Sequence, residues 1–354
     1  MKKLMSLILA CVLILSLCAC GGQAQGGDAS TTTGGNTSSG TETSAQPAAN
    51  GLPAKPADFP KSTITCYVGY AAGGGVDTAA RLLLKYAQKY LDVPVVVTNV
   101  TGAAGAVAVT QALAGKADGT TLISIASGAM LGDITGAVDY DFRNDLTMVS
   151  LQDSVPYSLV FRSNDSRFST PEELIDYVKA HPGELTVATS GVNNANYFAT
   201  KSFFEDNGMQ VEIVPFGGSA EAKTGFLGEH VDLFCETILE TIQMSKDGSA
   251  TFVCTFGDEP YVDGVKTNKD LGINMSVTGT FRGYAYKAGV SQEVIDYLSA
   301  IFKLCEEDPE FIAECANLGL DKCINYLDSA EATAFMSNEY DNYTKFCQEL
   351  GIAK

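Results

Sequence analysis

Histidine is almost missing from this 354-residue chain: only His181 and His230 occur, in the turn-like contexts His-Pro-Gly and Gly-Glu-His. None of the ten cysteines forms a C-x-x-C pair. Zinc-site spacing is therefore absent, and no metal is predicted. Basic residues are also scarce, 23 against 42 acidic ones for a net charge of −19. That balance opposes binding of nucleic acid or an anionic membrane by the folded part. The glycine-rich turns lack the Lys-Ser or Lys-Thr of a phosphate loop, and Thr78 follows Gly73 and Gly75 where a dinucleotide fingerprint wants glycine. Gly217-Gly-Ser-Ala-Glu221 lacks the second glycine of a nucleophile elbow, and neither histidine has an obvious nucleophile partner. No catalytic set or cofactor is read, and a secreted α/β enzyme stays the weaker alternative.

The first twenty residues pair a short basic start with an apolar run too short and too terminal for an ordinary membrane span, so 1–19 read as a secretory signal. Leu17-Cys-Ala-Cys20-Gly21 resembles a lipobox, with Leu17, Ala19 and Cys20 matching and Cys18 a less usual occupant. The resemblance implies an extracytoplasmic protein lipidated on Cys20 and held to the membrane by that lipid. Residues 20–51 are mainly Gly, Ser, Thr, Ala, Gln and Asn, which cannot bury surface to offset ordering entropy; they read as a flexible tether. About thirty such residues reach roughly 30 Å. The rest is comfortable for two α/β lobes. Its seven cysteines cannot all pair internally; Cys66, Cys235 and Cys254 read as small buried hydrophobes. Whether Cys305, Cys315, Cys323 and Cys347 hold disulfides stays open.

Strand-like and helix-like stretches alternate along the folded part, implying a parallel sheet. The most informative junction is Val68-Gly-Tyr-Ala-Ala-Gly-Gly-Gly-Val-Asp-Thr-Ala-Ala-Arg81, where three glycines separate a strand from a helix beginning near Asp77. A helix start leaves amides without internal partners, and glycine lets an anion approach them. The alternative is a tight turn with no ligand. Asp77 fits an i,i+4 pair with Arg81 better than a ligand contact. Ala188-Thr-Ser-Gly-Val-Asn-Asn194 is a second such junction, where Ser and Asn could equally cap their own helix. In open α/β sheets ligands sit beyond the carboxyl ends of strands, and two facing junctions can enclose a small anion.

These segments, with Val214-Pro-Phe-Gly-Gly-Ser-Ala220, Leu227-Gly-Glu-His-Val-Asp-Leu-Phe234 and Phe281-Arg-Gly283, resemble the substrate-binding proteins of the tripartite tricarboxylate transporter family, also called the Bug family. The likeness runs from about residue 52 to 352. It implies a type II periplasmic-binding-protein fold of two α/β lobes joined by crossing strands: 52–155 with 279–354 as one lobe, 156–278 as the other, with Tyr157–Phe161 and Gly283–Tyr286 near the crossings. It implies a small organic acid as ligand, held by Tyr70, Ala72, Gly73, Gly74, Gly75, Asp77 and Thr78 on one side. Ser190, Gly191, Asn193 and Asn194 face it, with Ser127, Gly217 and Glu236 around them. Delivery to membrane permease subunits is implied as well, while a sensor that presents its ligand to a receptor would use the same cleft. Tyr197 stands where the family often has histidine, and Asn99-Val-Thr-Gly-Ala-Ala-Gly105 where Asn-x-Pro-Gly-Ala-Gly-Gly is usual. Cys235-Glu236-Thr237 replaces the usual aspartate and asparagine region; Glu236 reads either as a cleft acid suited to a ligand amine or as a first-turn acid of the next helix.

Overall fold

The computed structural model describes residues 51–192 and 194–354. The signal, Cys20, the tether up to residue 50 and Asn193 lie outside the described residues. The chain builds β1 (Ile64–Val68), α1 (Gly75–Ala87), β2 (Val95–Asn99), α2 (Ala106–Leu113), β3 (Thr121–Ala126), α3 (Ser127–Ile134) and the long β4 (Leu146–Arg162). Then come α4 (Pro171–Ala180), β5 (Thr186–Thr189), α5 (Ala195–Phe204), β6 (Glu212–Pro215), α6 (Ser219–Leu227), β7 (Leu233–Thr237), α7 (Ile238–Lys246) and β8 (Ala250–Thr255). β9 (Gly279–Lys287), α8 (Gln292–Glu306), α9 (Pro309–Leu318), β10 (Ile324–Leu327) and α10 (Ser329–Glu349) complete it.

The strands run in the order β2-β1-β3-β9-β4-β7-β5-β6, with β8 and β10 also pairing with β4. β2, β1 and β3 are mutually parallel, as are β6, β5 and β7. The parallel sheet implied by the alternation is found on either side, while at the centre β9 and β4 run antiparallel to their neighbours. The reason is β4: it pairs with β9 up to Pro156↔Gly279 and from Tyr157↔Thr237 onward with β7. One strand therefore belongs to both lobes. The chain returns at Thr278–Gly279, where the Tyr157 amide donates to the Thr278 carbonyl, ahead of the Gly283–Tyr286 stretch that pairs inside the first lobe.

Alternation places Ile64, Cys66 and Val68 of β1 in the core. Strand side chains feed two apolar layers: Ile123 and Ile125 pack toward α2, α3 and α10, while Cys66, Leu122 and Tyr284 pack toward α1, α8 and α9. All seven cysteines of the described residues are buried free thiols, so the four in the C-terminal region are not bridged.

One core residue is out of place energetically. Glu306 is 5% exposed and neither carboxylate oxygen has a partner. Burial, with Asp153 adding, raises its carboxyl well above the ordinary range, so the fold holds this proton more tightly than the unfolded chain does. Its contribution is thus most favourable in acid and is lost as pH rises from the ordinary carboxylate range through the raised value. Glu306→Met is expected to stabilise the protein by about 1–3 kcal/mol at pH 8, a gain that shrinks toward zero at pH 4. Thermal melts at the two pH values check this.

Candidate functional site

The glycine junction of the first lobe is built from backbone. Gly73 has φ +80°, a conformation that disfavours side chains, and a Cβ there would meet open space. Gly74 then takes the extended geometry of an N-cap without supplying a side-chain cap. The helix starts at Gly75, two residues before the position expected from sequence. The Gly73 amide donates to Asp77 Oδ2 (2.8 Å), the Gly74 amide to the Ala71 carbonyl (3.1 Å) and the Thr78 amide to the Gly74 carbonyl (2.9 Å). Among the described residues, the Gly75, Val76 and Asp77 amides have no acceptor in the protein. Gly73 is exposed and Gly74 and Gly75 half-buried, so these amides lie beside an open approach.

Asp77 pairs with Arg81 (2.9 Å) and is only 2% exposed. It also accepts from Asn99 Nδ2 (2.8 Å), which donates in addition to the Tyr70 carbonyl. Burial pushes the Asp77 carboxyl up, but Arg81, the Gly73 amide and Asn99 outweigh it and hold the group below its ordinary value. Its role is to pin the loop, with its charge already matched. Arg282 of β9 braces the same loop from below: Nη1 donates to the Gly75 carbonyl (2.6 Å) and Nε to Asp153 (2.7 Å), both side chains being nearly fully buried.

Tyr70 reaches sideways, its hydroxyl donating to the Ala104 carbonyl (2.8 Å). That contact needs backbones in close approach: a Cβ on Gly69 would lie 2.4 Å from Gly105 Cα, and one on Gly128 2.4 Å from the Ala104 oxygen. Ser127 opens α3, but its hydroxyl is taken by the crossing strand, 2.8 Å from Thr280 Oγ1 and accepting from the Phe281 amide.

In the second lobe, Gly191 turns the chain after β5 with φ +148°. Asn194 is the N-cap of α5 and its side chain accepts from the Tyr197 amide (3.1 Å), so here the capping alternative holds. Ser190 Oγ accepts from Asn196 Nδ2 (2.8 Å). The Gly217 amide is bound to Glu221 (2.9 Å), and α6 follows Gly218 without a side-chain cap.

Glu236 is the hub of this lobe. It lies on β7 rather than in the helix that starts at Ile238, which corrects the first-turn alternative. Its carboxylate, 4% exposed, accepts from Asn196 Nδ2 (3.1 Å), Ser219 Oγ (2.9 Å) and the Thr237 amide (2.9 Å). It thereby ties together the loops after β5, β6 and β7. Burial raises the carboxyl, against the opposing hydrogen bonds of the Thr237 amide and the Ser190 and Ser219 hydroxyls. Across the cleft, the Tyr70 hydroxyl is pushed up by burial and then by the Glu236 charge, and both act on Tyr157 as well.

α4, α5, α9 and α10 are capped by the side chains of Thr170, Asn194, Asp308 and Asp328, whereas α1, α2, α3, α6, α7 and α8 have no side-chain cap. Sequence reading missed Arg282 as a brace and Asn196 as a second-lobe anchor. Neither carries a local signal, since each acts through a partner distant in sequence. A separate cavity of about 500 Å³ lies between Ser154–Pro156, Gly279–Phe281 and the α10 residues Phe335, Glu339 and Tyr343, and includes none of the glycine-loop residues.

With this geometry established, comparison with known proteins gives three findings. The profile of the tripartite tricarboxylate transporter family receptor (TctC) matches residues 79–352. A "UPF0065 protein in gbd 5'region" of Cupriavidus necator is 28% identical over 314 residues, covering 87% of this chain and 94% of that protein. Among solved structures, Rpa4515 of R. palustris with adipate superposes with TM-score 0.76 at 20% identity (84% of this chain, 99% of that one). MatC of Rhodopseudomonas palustris with bound malate gives 0.72 at 23% identity (81% and 99%). The fold is the α/β periplasmic-binding-protein fold.

Proposed function

Because this chain belongs to the tripartite tricarboxylate transporter receptor family, a family of solute-binding receptors and not enzymes, we propose that it captures a small carboxylate between its lobes and delivers it to membrane permease subunits. One observation carries the reading: the uncapped start of α1, where the Gly75, Val76 and Asp77 amides stand open beside a loop whose acid is already neutralised by Arg81. Helix-start amides and the helix dipole favour an anion there, over a range short enough that the net negative charge of the whole chain does not oppose it. Ser190, Gly191, Asn194 and Glu236 form the facing wall. Relatives described with adipate and with malate support a carboxylate ligand. In this reading Cys20 carries the lipid that holds the protein to the membrane.

A thermal-shift screen of mono-, di- and tricarboxylates on the purified full-length chain tests it. A binder at a hundredfold excess over Kd is expected to add about 2.7 kcal/mol of stability. No shift with any acid in the screen contradicts the carboxylate reading.

A further inference from the structure

The cavity beside α10 lies where the strands cross between the lobes. Its floor is Ser154–Pro156 and Gly279–Phe281, packed so closely that a Cβ on Gly279 would stand 2.6 Å from the Val155 carbonyl oxygen. One wall is Met275–Thr278, fastened to the second lobe: the Ser276 amide donates to Ser202 Oγ (2.7 Å), and Asn207 Nδ2 donates to the Asn274 carbonyl (2.8 Å). The other wall is α10. At about 500 Å³ the space has the size of a small-molecule pocket. Ser190, Asn194, Glu236 and the glycine loop do not line it, so it is distinct from the candidate carboxylate site.

Glu339 gives this cavity its charge. It is half-buried and accepts from Asn342 Nδ2 at 3.5 Å, the outer limit of a hydrogen bond. Among the described residues no cation pairs with it, and burial raises its carboxyl against the pull of Asn342. Removing a carboxylate from water without a counter-charge is unfavourable. Glu306 shares that condition, but it is sealed in the core and lines no described cavity.

The surroundings of Glu339 are aromatic. Phe281 and Phe335 meet edge to face with centroids 5.9 Å apart. Tyr343, one turn along α10 from Glu339, is held by its hydroxyl, which donates to the Gly279 carbonyl (3.2 Å). A carboxylate among aromatic rings suits an organic ammonium: the acid takes the charge, and the rings attract the cation and pack against its apolar body. An inorganic or carboxylate anion would be repelled there, and a neutral apolar guest would leave the acid unpaired. We propose that this cavity binds an organic ammonium with an apolar body, its nitrogen on Glu339 and its body against Phe281, Phe335 and Met275. The proposal stands apart from the carboxylate reading of the glycine loop.

Calorimetric titration of the purified full-length chain with phenethylamine, and with 2-phenylethanol as its neutral counterpart, tests this. The amine is expected to bind at least about tenfold more tightly than the alcohol. In Glu339→Gln, which keeps the shape and removes the charge, the two probes are expected to bind alike. In Phe335→Ala both are expected to weaken together, a result that does not depend on E339Q folding. Thermal melts of each variant confirm that it is folded. Equal or tighter binding of the alcohol to the wild type, an amine affinity unchanged in E339Q, or binding of both probes unchanged in F335A overturns the proposal. So does a wild-type protein that binds neither probe at millimolar concentration.

Discussion

Gly74→Asp is expected to abolish carboxylate binding while leaving the melting temperature unchanged or slightly raised. Gly74 occupies the N-cap of α1 with φ −76° and ψ 167°, backbone that any residue adopts and that capping residues favour. The new Cβ would sit 3.2 Å from the Ala71 carbonyl oxygen, a contact relieved by a few tenths of an ångström. Aspartate here becomes an ordinary helix cap: its carboxylate accepts from the Val76 or Asp77 amide and adds a negative charge where the ligand's carboxylate belongs. Like-charge juxtaposition costs several kcal/mol, so affinity should drop by a factor of at least about 100. Titration calorimetry paired with a thermal melt separates this from unfolding. Wild-type affinity in G74D means the ligand does not use these amides.

Arg282→Met is expected to be the most damaging single change to stability. The Asp153–Arg282 pair is almost completely buried, and removing the guanidinium strands a carboxylate in the core. Breaking such a pair costs about 3–5 kcal/mol, corresponding to a fall in Tm on the order of 10 °C. The double variant with Asp153→Leu should recover most of the loss, because replacing both charges by apolar groups is close to neutral. Binding should not recover to the same extent. Arg282 also donates to the Gly75 carbonyl, so its loss frees the loop that presents the amides even when the core is repaired. A double variant as unstable as R282M would mean that the arginine acts through something other than Asp153.

What the sequence made legible follows from locality. The three glycines between strand and helix and the Asp77–Arg81 spacing both act within a few residues, and the structure carries each of them. β4 shows the opposite case. Gln152, Asp153, Ser154 and Pro156 interrupt its apolar run, yet they lie inside a 17-residue strand because partners on other elements satisfy them: Tyr284 for Gln152, Arg282 for Asp153. β10 is hidden among C-terminal helices for a similar reason, as its pairing partner is β4, far back in the chain. α3 escaped notice because Ser127-Gly-Ala-Met reads as the end of a buried strand; the turn into a helix depends on Gly128 fitting against Ala104.

The candidate site divides in the same way. Gly73–Gly75 announced themselves by composition and by the strand and helix flanking them. Glu236 could be read two ways in sequence, because a carboxylate after a strand is equally a helix-start acid; its burial and its three neutral donors are facts of packing across three loops. Asn194 illustrates a residue type whose local role, capping its own helix, takes up the side chain that a ligand reading would assign to the anion.

The most direct test is a crystal structure of the protein with the acid that gives the largest thermal shift. A carboxylate within hydrogen-bond distance of the Gly75 and Val76 amides, with its other end facing Ser190 and Glu236, is the predicted result. A ligand seated elsewhere, for instance in the cavity beside Glu339 and Tyr343, with the Gly73–Gly75 loop free of it, would contradict the account.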